Sequence, residues 1–112
     1  MAITETGTWV QTEDDLKNPM PYRDFFKPDT AVADTSYVDA HKLDFGFNAR
    51  EIHIFNTGAA DLVYRWPRND GTSKDNGVIP SAGSRIWRNA NRSGIRFRVE
   101  SSSATYRVEA IA

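Results

Sequence analysis

Apolar and polar side chains alternate without a break in two runs near the carboxyl end of the chain. The first reads Ile95, Arg96, Phe97, Arg98, Val99, Glu100, and the second Tyr106, Arg107, Val108, Glu109, Ala110. Strand side chains point to opposite faces in turn, so this alternation predicts two strands, each with one buried and one wet face. Ser101, Ser102 and Ser103 between them are turn formers and predict that the two runs close on each other as a hairpin. With Ser102 and Ser103 at its tip, Val99 faces Tyr106, Phe97 faces Val108 and Ile95 faces Ala110. The same register sets Arg96 against Glu109 and Glu100 against Thr105. It also sets Arg98 against Arg107, a pair that repels unless an outside acid or anion sits between them. A slip of one residue would bury the arginines.

The same period runs upstream. Leu43, Phe45 and Phe47 alternate with Asp44 and Gly46, Ile52 and Ile54 share one side of a second strand, and Leu62, Tyr64 and Trp66 share one side of a third. Thr57, Gly58 and Ala59 supply a loop, so Ile54 is expected to pair with Leu62 and Ile52 with Tyr64, which also sets Glu51 opposite Arg65. Residues 67–77 form a polar excursion. Val78 and Ile79 make a short strand ended by Pro80, and residues 85–88 make another. About seven short strands with regular turn signals and no convincing helix predict an all-β chain. The expected fold is a small antiparallel β-sandwich or barrel-like jelly roll.

Residues 1–40 break the pattern. A short strand is expected around Trp9 and Val10, and a helical turn begun at Glu13 is stopped by Asn18, Pro19 and Pro21. Tyr22, Phe25 and Phe26 lie between prolines in an extended segment that cannot bury its own rings. The expected organisation is therefore an extended amino-terminal arm over residues 1–40 and a sandwich domain over 41–112. The arm either folds back over its own sheet or reaches a neighbouring subunit, and the residues do not choose between the two.

Charge sharpens that division. The chain has 112 residues and a formal net charge of −1. Residues 1–49 carry nine acids and four bases, whereas residues 50–112 carry six acids and ten bases, nine of them arginine. Near-neutrality argues against a general nucleic-acid binder, and an acidic arm on an arginine-rich body points to interface pairing instead. There is no cysteine, so disulfides and thiolate chemistry are excluded. The amino terminus lacks the pattern of a signal peptide, and no apolar run approaches a membrane span.

Little in the chain reads as reaction chemistry. The two histidines are His41, expected to be solvated, and His53, expected on the outer face of a strand. Two isolated histidines make no transition-metal site. Residues 69–77 hold several oxygen ligands but lack the alternating acids of a calcium loop and include Lys74, so a hydrophilic turn is expected. No catalytic residue, metal or cofactor is assigned. The candidate contact residues are the aromatic anchors Trp9, Tyr22, Phe25 and Phe26, with Arg96, Arg98 and Arg107 receiving acids from a neighbour.

Residues 43–112 carry a resemblance. Glu51 to Gly58 form an apolar strand ending in an Asn-Thr-Gly turn, and Leu62 to Trp66 follow. Ile79 to Gly83 make an Ile-Pro-Ser-Ala-Gly step, Asn89 to Arg98 an Asn/Arg turn into an Ile-Arg-Phe-Arg strand, and Tyr106 to Ala110 a closing strand. This order resembles the small β-sandwich module of tailed-bacteriophage virion proteins. The resemblance implies a non-enzymatic structural role in the virion: a capsid cement or decoration protein, or a connector or fibre-anchoring component. It further implies contacts with other virion proteins such as the major capsid protein, and a homo-oligomer, with trimers suited to three-fold positions. The rival expectation is a carbohydrate- or receptor-binding module using Trp66, Trp87 and Tyr64, although their alternation points into the core.

Overall fold

In the computed structural model, the described residues are 23–112, together with the backbone of Ile3–Thr4 and Val10–Gln11. Strands β1 (Ile3–Thr4) and β2 (Val10–Gln11) pair antiparallel as a two-stranded ribbon. The remaining strands are β3 (Asp24–Val32), β4 (Lys42–Ala49), β5 (Glu51–Asn56), β6 (Leu62–Arg65), β7 (Gly77–Ile79), β8 (Ser84–Trp87), β9 (Arg92–Arg98) and β10 (Ala104–Ile111). Single 3₁₀ turns at Asp39–His41 and Pro67–Asn69 interrupt the links.

These eight strands form two four-stranded antiparallel sheets, ordered β3-β10-β5-β8 and β4-β9-β6-β7. Every link between successive strands crosses from one sheet to the other except β6–β7, which stays within its sheet. This is the winding of an eight-stranded jelly roll, so the all-β sandwich expected from the alternation is the fold. Inward residues from both sheets make one core, including Leu43, Ile52, Ile54, Leu62, Ile79, Ile95, Phe97, Tyr106 and Val108.

Both expected hairpins are corrected. β9 pairs with β4 and β6, whereas β10 pairs with β3 and β5, so the two alternating runs lie in opposite sheets. Phe97 and Tyr106 meet across the core with ring centroids 4.4 Å apart. Arg98 and Arg107 are not cross-strand neighbours, and no outside acid is needed between them. Likewise β5 pairs with β10 and β8, and β6 with β7 and β9, so Ile54 and Leu62 also lie in opposite sheets. Alternation reports which face a residue takes but not which strand lies beside it. A short link can turn within a sheet or step across the roughly 10 Å between packed sheets.

The body also takes in residues placed in the arm by the sequence reading. Asp24–Val32 folds back in cis as the edge strand β3 along β10. Phe25 turns inward and packs on Phe45, with ring centroids 5.0 Å apart. The register shifts between Tyr106 and Val108, leaving Pro28 and Asp29 opposite Arg107. A proline in a bulge at a sheet edge spoils the ladder for an incoming strand and blunts that edge. Trp9 and Tyr22 lie outside the described residues.

Two close approaches fix the packing. A Cβ on Gly94 would meet the Leu43 carbonyl oxygen at 2.3 Å, and one on Gly58 would meet the Thr105 nitrogen at 2.3 Å. His41, expected to be solvated, is buried and shares a 2.9 Å hydrogen bond between Nδ1 and the Tyr106 hydroxyl. Burial pushes its pKa below the ordinary imidazole value, against the pull of Asp34. The Tyr106 phenol is pushed up to about 12 by burial alone.

Candidate functional site

The two sheets present very different outer faces. On β4-β9-β6-β7, alternation turns Arg65, Arg96 and Arg98 outward, yet Arg65 and Arg96 are buried. The cover comes from residues 67–76, held down by hydrogen bonds from the Asn76 nitrogen to the Tyr64 oxygen (2.8 Å) and from Arg65 to the Thr72 oxygen (2.7 Å). Arg96 donates to both oxygens of Asp70 at 2.8–3.1 Å, to Asp44 at 2.9 Å and to the Leu43 carbonyl at 3.1 Å. Arg98 grips Asp75 at 2.6 and 3.1 Å and reaches Glu100 at 2.8 Å. The acids that Arg96 and Arg98 meet are therefore supplied by their own chain.

Tyr37 closes this network from the β3–β4 link. Its ring lies 4.0 Å from the Arg65 guanidinium and 5.6 Å from that of Arg98, and its hydroxyl donates to Asp75 at 2.5 Å. Burial, then the Asp75 carboxylate, drive the phenol pKa far up. The arginine hydrogen bonds hold Asp70 and Asp75 below the usual carboxylate range. The polar loop read as a plain turn is thus a cap over one sheet. The available sequence signal was the pair Asp70 and Asp75 in a loop joining arginine-bearing strands.

The outer face of β3-β10-β5-β8 has a different character. Cross-strand pairing puts Phe26, Glu109, His53 and Ile86 in one row, with Arg107, Phe55 and Ser84 in the next. Phe26 is 57% exposed and Ile86 44% exposed, and both rank among the large apolar side chains open to solvent. Arg107 lies over the Phe55 ring at 4.6 Å. Glu51 accepts from His53 at 2.8 Å and lies 3.7 Å from Arg88. Apolar side chains here alternate with charges of both signs: Arg88 and Arg107 against Asp24, Glu51 and Glu109. Of the expected contact residues, this face holds Phe26 and Arg107. Phe25 belongs to the core, and Arg96 and Arg98 lie on the opposite sheet.

Tyr64, Trp66 and Trp87 pack as a cluster, with centroids 5.1–5.6 Å apart in edge-to-face contacts. Trp66 is buried beneath Arg92, whose guanidinium sits 5.1 Å from the ring. The three rings thus seal one end of the sandwich instead of forming an open stacking platform. Several hollows open among the described residues. One of about 310 Å³ lies beside Tyr37, Arg65, Asp75 and Arg98. A second of about 330 Å³ lies beside Asp61, Glu100 and Ser101. A third, of about 290 Å³, is lined by Asn48, Arg50, Asn89 and Asn91.

No family model and no curated protein matches the chain. Among solved structures, one of PirA is similar at a TM-score of 0.38 and 15% sequence identity, over 81% of this chain and 93% of that one. A likeness of that size carries no functional conclusion.

Proposed function

We propose that the chain is a non-enzymatic structural protein of a virion, a capsid cement or decoration protein assembled in the host cytoplasm. In this reading the β3-β10-β5-β8 face lies against the major capsid protein. The observation that carries the reading is the asymmetry of the two sheets. One face has its buried arginines covered by the chain's own loop, with Val78 open only at its β7 edge, and the other leaves Phe26 and Ile86 open along the sheet. Charges of both signs, acids in slight excess, interleaved with apolar side chains suit a protein surface and give a polyanion nothing to hold.

Size bears on stoichiometry. Four strands spaced about 4.8 Å apart and about six residues long offer on the order of 400 Å² of flat sheet. A stable interface takes about 800 Å² from each partner. One copy therefore binds weakly, and several copies held together bind well, which favours a homo-oligomer. A trimer at three-fold positions is the form the resemblance suggests.

The test is the composition of gradient-purified particles. The chain is expected to co-migrate with the shell at a fixed ratio to the major capsid protein, and Phe26→Asp with Ile86→Asp is expected to leave most of it in the soluble fraction. Wild-type protein that stays soluble while intact particles sediment without it overturns the reading.

A further inference from the structure

The hollow at the end of the sandwich has a chemistry that neither sheet face uses. It lies between the β4–β5 turn and the β8–β9 loop, and the described residues that line it are three asparagines and one arginine: Asn48, Asn89, Asn91 and Arg50. Its frame is fixed by backbone. The Arg50 nitrogen donates to the Ile111 oxygen at 2.8 Å, and the Arg50 oxygen accepts from the Ala90 nitrogen at 2.8 Å. Asn91 sits at φ 51, a left-handed conformation that asparagine tolerates better than most residues. The two loops are thus tied together through Arg50 while its side chain stays exposed.

Two other hollows contrast with it. In the one beside Tyr37, Asp75 already neutralises Arg98. The one beside Ser101 is lined by Asp61 and Glu100, with no cation among the described residues. Among the described residues, the Asn48–Asn91 hollow has a cation and no acid in its lining.

Ligand class follows from the donors and acceptors. A carboxamide holds an acceptor and two donors on adjacent atoms, and a sugar hydroxyl both gives and takes a hydrogen bond, so three amides suit neighbouring hydroxyls. The guanidinium fork suits a carboxylate, which it can bind through two parallel N–H groups. A volume of about 290 Å³ is at the small end for ligand sites and holds one sugar unit. We propose that this hollow binds a sugar unit bearing a carboxylate. The site is separate from the Tyr64, Trp66 and Trp87 cluster and does not depend on the shell-binding reading.

The test is a titration of the full-length, nitrogen-15-labelled chain, following the side-chain amide resonances of Asn48, Asn89 and Asn91. Sodium glucuronate is expected to give saturable shifts, and glucose and acetate are each expected to bind about tenfold more weakly or worse. Arg50→Ala leaves both backbone hydrogen bonds in place and is expected to weaken glucuronate about tenfold, with Arg50→Lys between the two because it keeps the charge and loses the fork. Three results overturn the proposal: no saturable shift with glucuronate, acetate binding as well as glucuronate, or Arg50→Ala binding as tightly as wild type.

Discussion

Replacing Phe97 with alanine is expected to cost about 3–5 kcal/mol, the range for deleting a large aromatic from a packed interior. Phe97 is fully buried on β9, and its ring lies 4.4 Å from that of Tyr106 on β10, tilted by 33°. A domain of this size has only about 5–15 kcal/mol of stability in total, so the loss consumes much of it. The check is the urea midpoint of the variant against wild type. The two rings meet across the sandwich, so the cycle of Phe97→Ala, Tyr106→Ala and the double variant is expected to show a coupling of about 0.5–1.5 kcal/mol. A hairpin would set Phe97 beside Val108, and a coupling near zero with Tyr106 would count against the crossed arrangement.

Arg96→Ala is expected to be the most damaging change outside the apolar core, at about 2–3 kcal/mol. The guanidinium is 6% exposed and holds Asp70, Asp44 and the Leu43 carbonyl at once. The cost stays below that of breaking a fully buried pair because Asp44 is 72% exposed and Asp70 35% exposed, and water recovers part of their solvation. The loss is local as well as global: amide exchange over residues 67–76 should accelerate before the strands are affected. Its pH dependence has a definite sign. Arg96 holds the Asp70 carboxyl below its ordinary value, so the pair stabilises the fold above the unfolded carboxylate pKa and loses that contribution as pH falls through the folded one. Urea midpoints should therefore separate wild type from Arg96→Ala widely at neutral pH and converge in acid.

Much of this architecture was legible in the alternation, and its failures have one cause. Ile95, Phe97, Val99, Tyr106, Val108 and Ala110 were read as inward, and all are buried. Their partners were misread because facing the core is the same instruction whether the neighbour lies beside a strand or across the sandwich. Arg96 was read as wet because period two assigns it to the outer face, which it occupies. What the period does not encode is that residues 67–76 lie over that face. The acids for Arg96 and Arg98 were sought in a neighbour for the same reason, and Asp70 and Asp75 were hidden inside a stretch read as solvated turn. His41 was misread because burial at a strand entrance depends on Tyr106, distant in sequence. Asp24–Val32 was placed in the arm because Pro28 interrupts it, although a bulged edge strand accommodates that proline. The bare face was the least legible feature, since it emerges only when four strands from distant parts of the chain lie side by side.

In the proposed shell role, the β3-β10-β5-β8 face, and not the capped one, meets the particle. Hydroxyl-radical footprinting of free and particle-bound protein tests it most directly. Oxidation of Phe26, Phe55 and Ile86 is expected to fall several-fold on binding, while Tyr37 and residues 67–76 react as in the free protein. Unchanged rates at Phe26 and Ile86, with protection over residues 67–76, would contradict it.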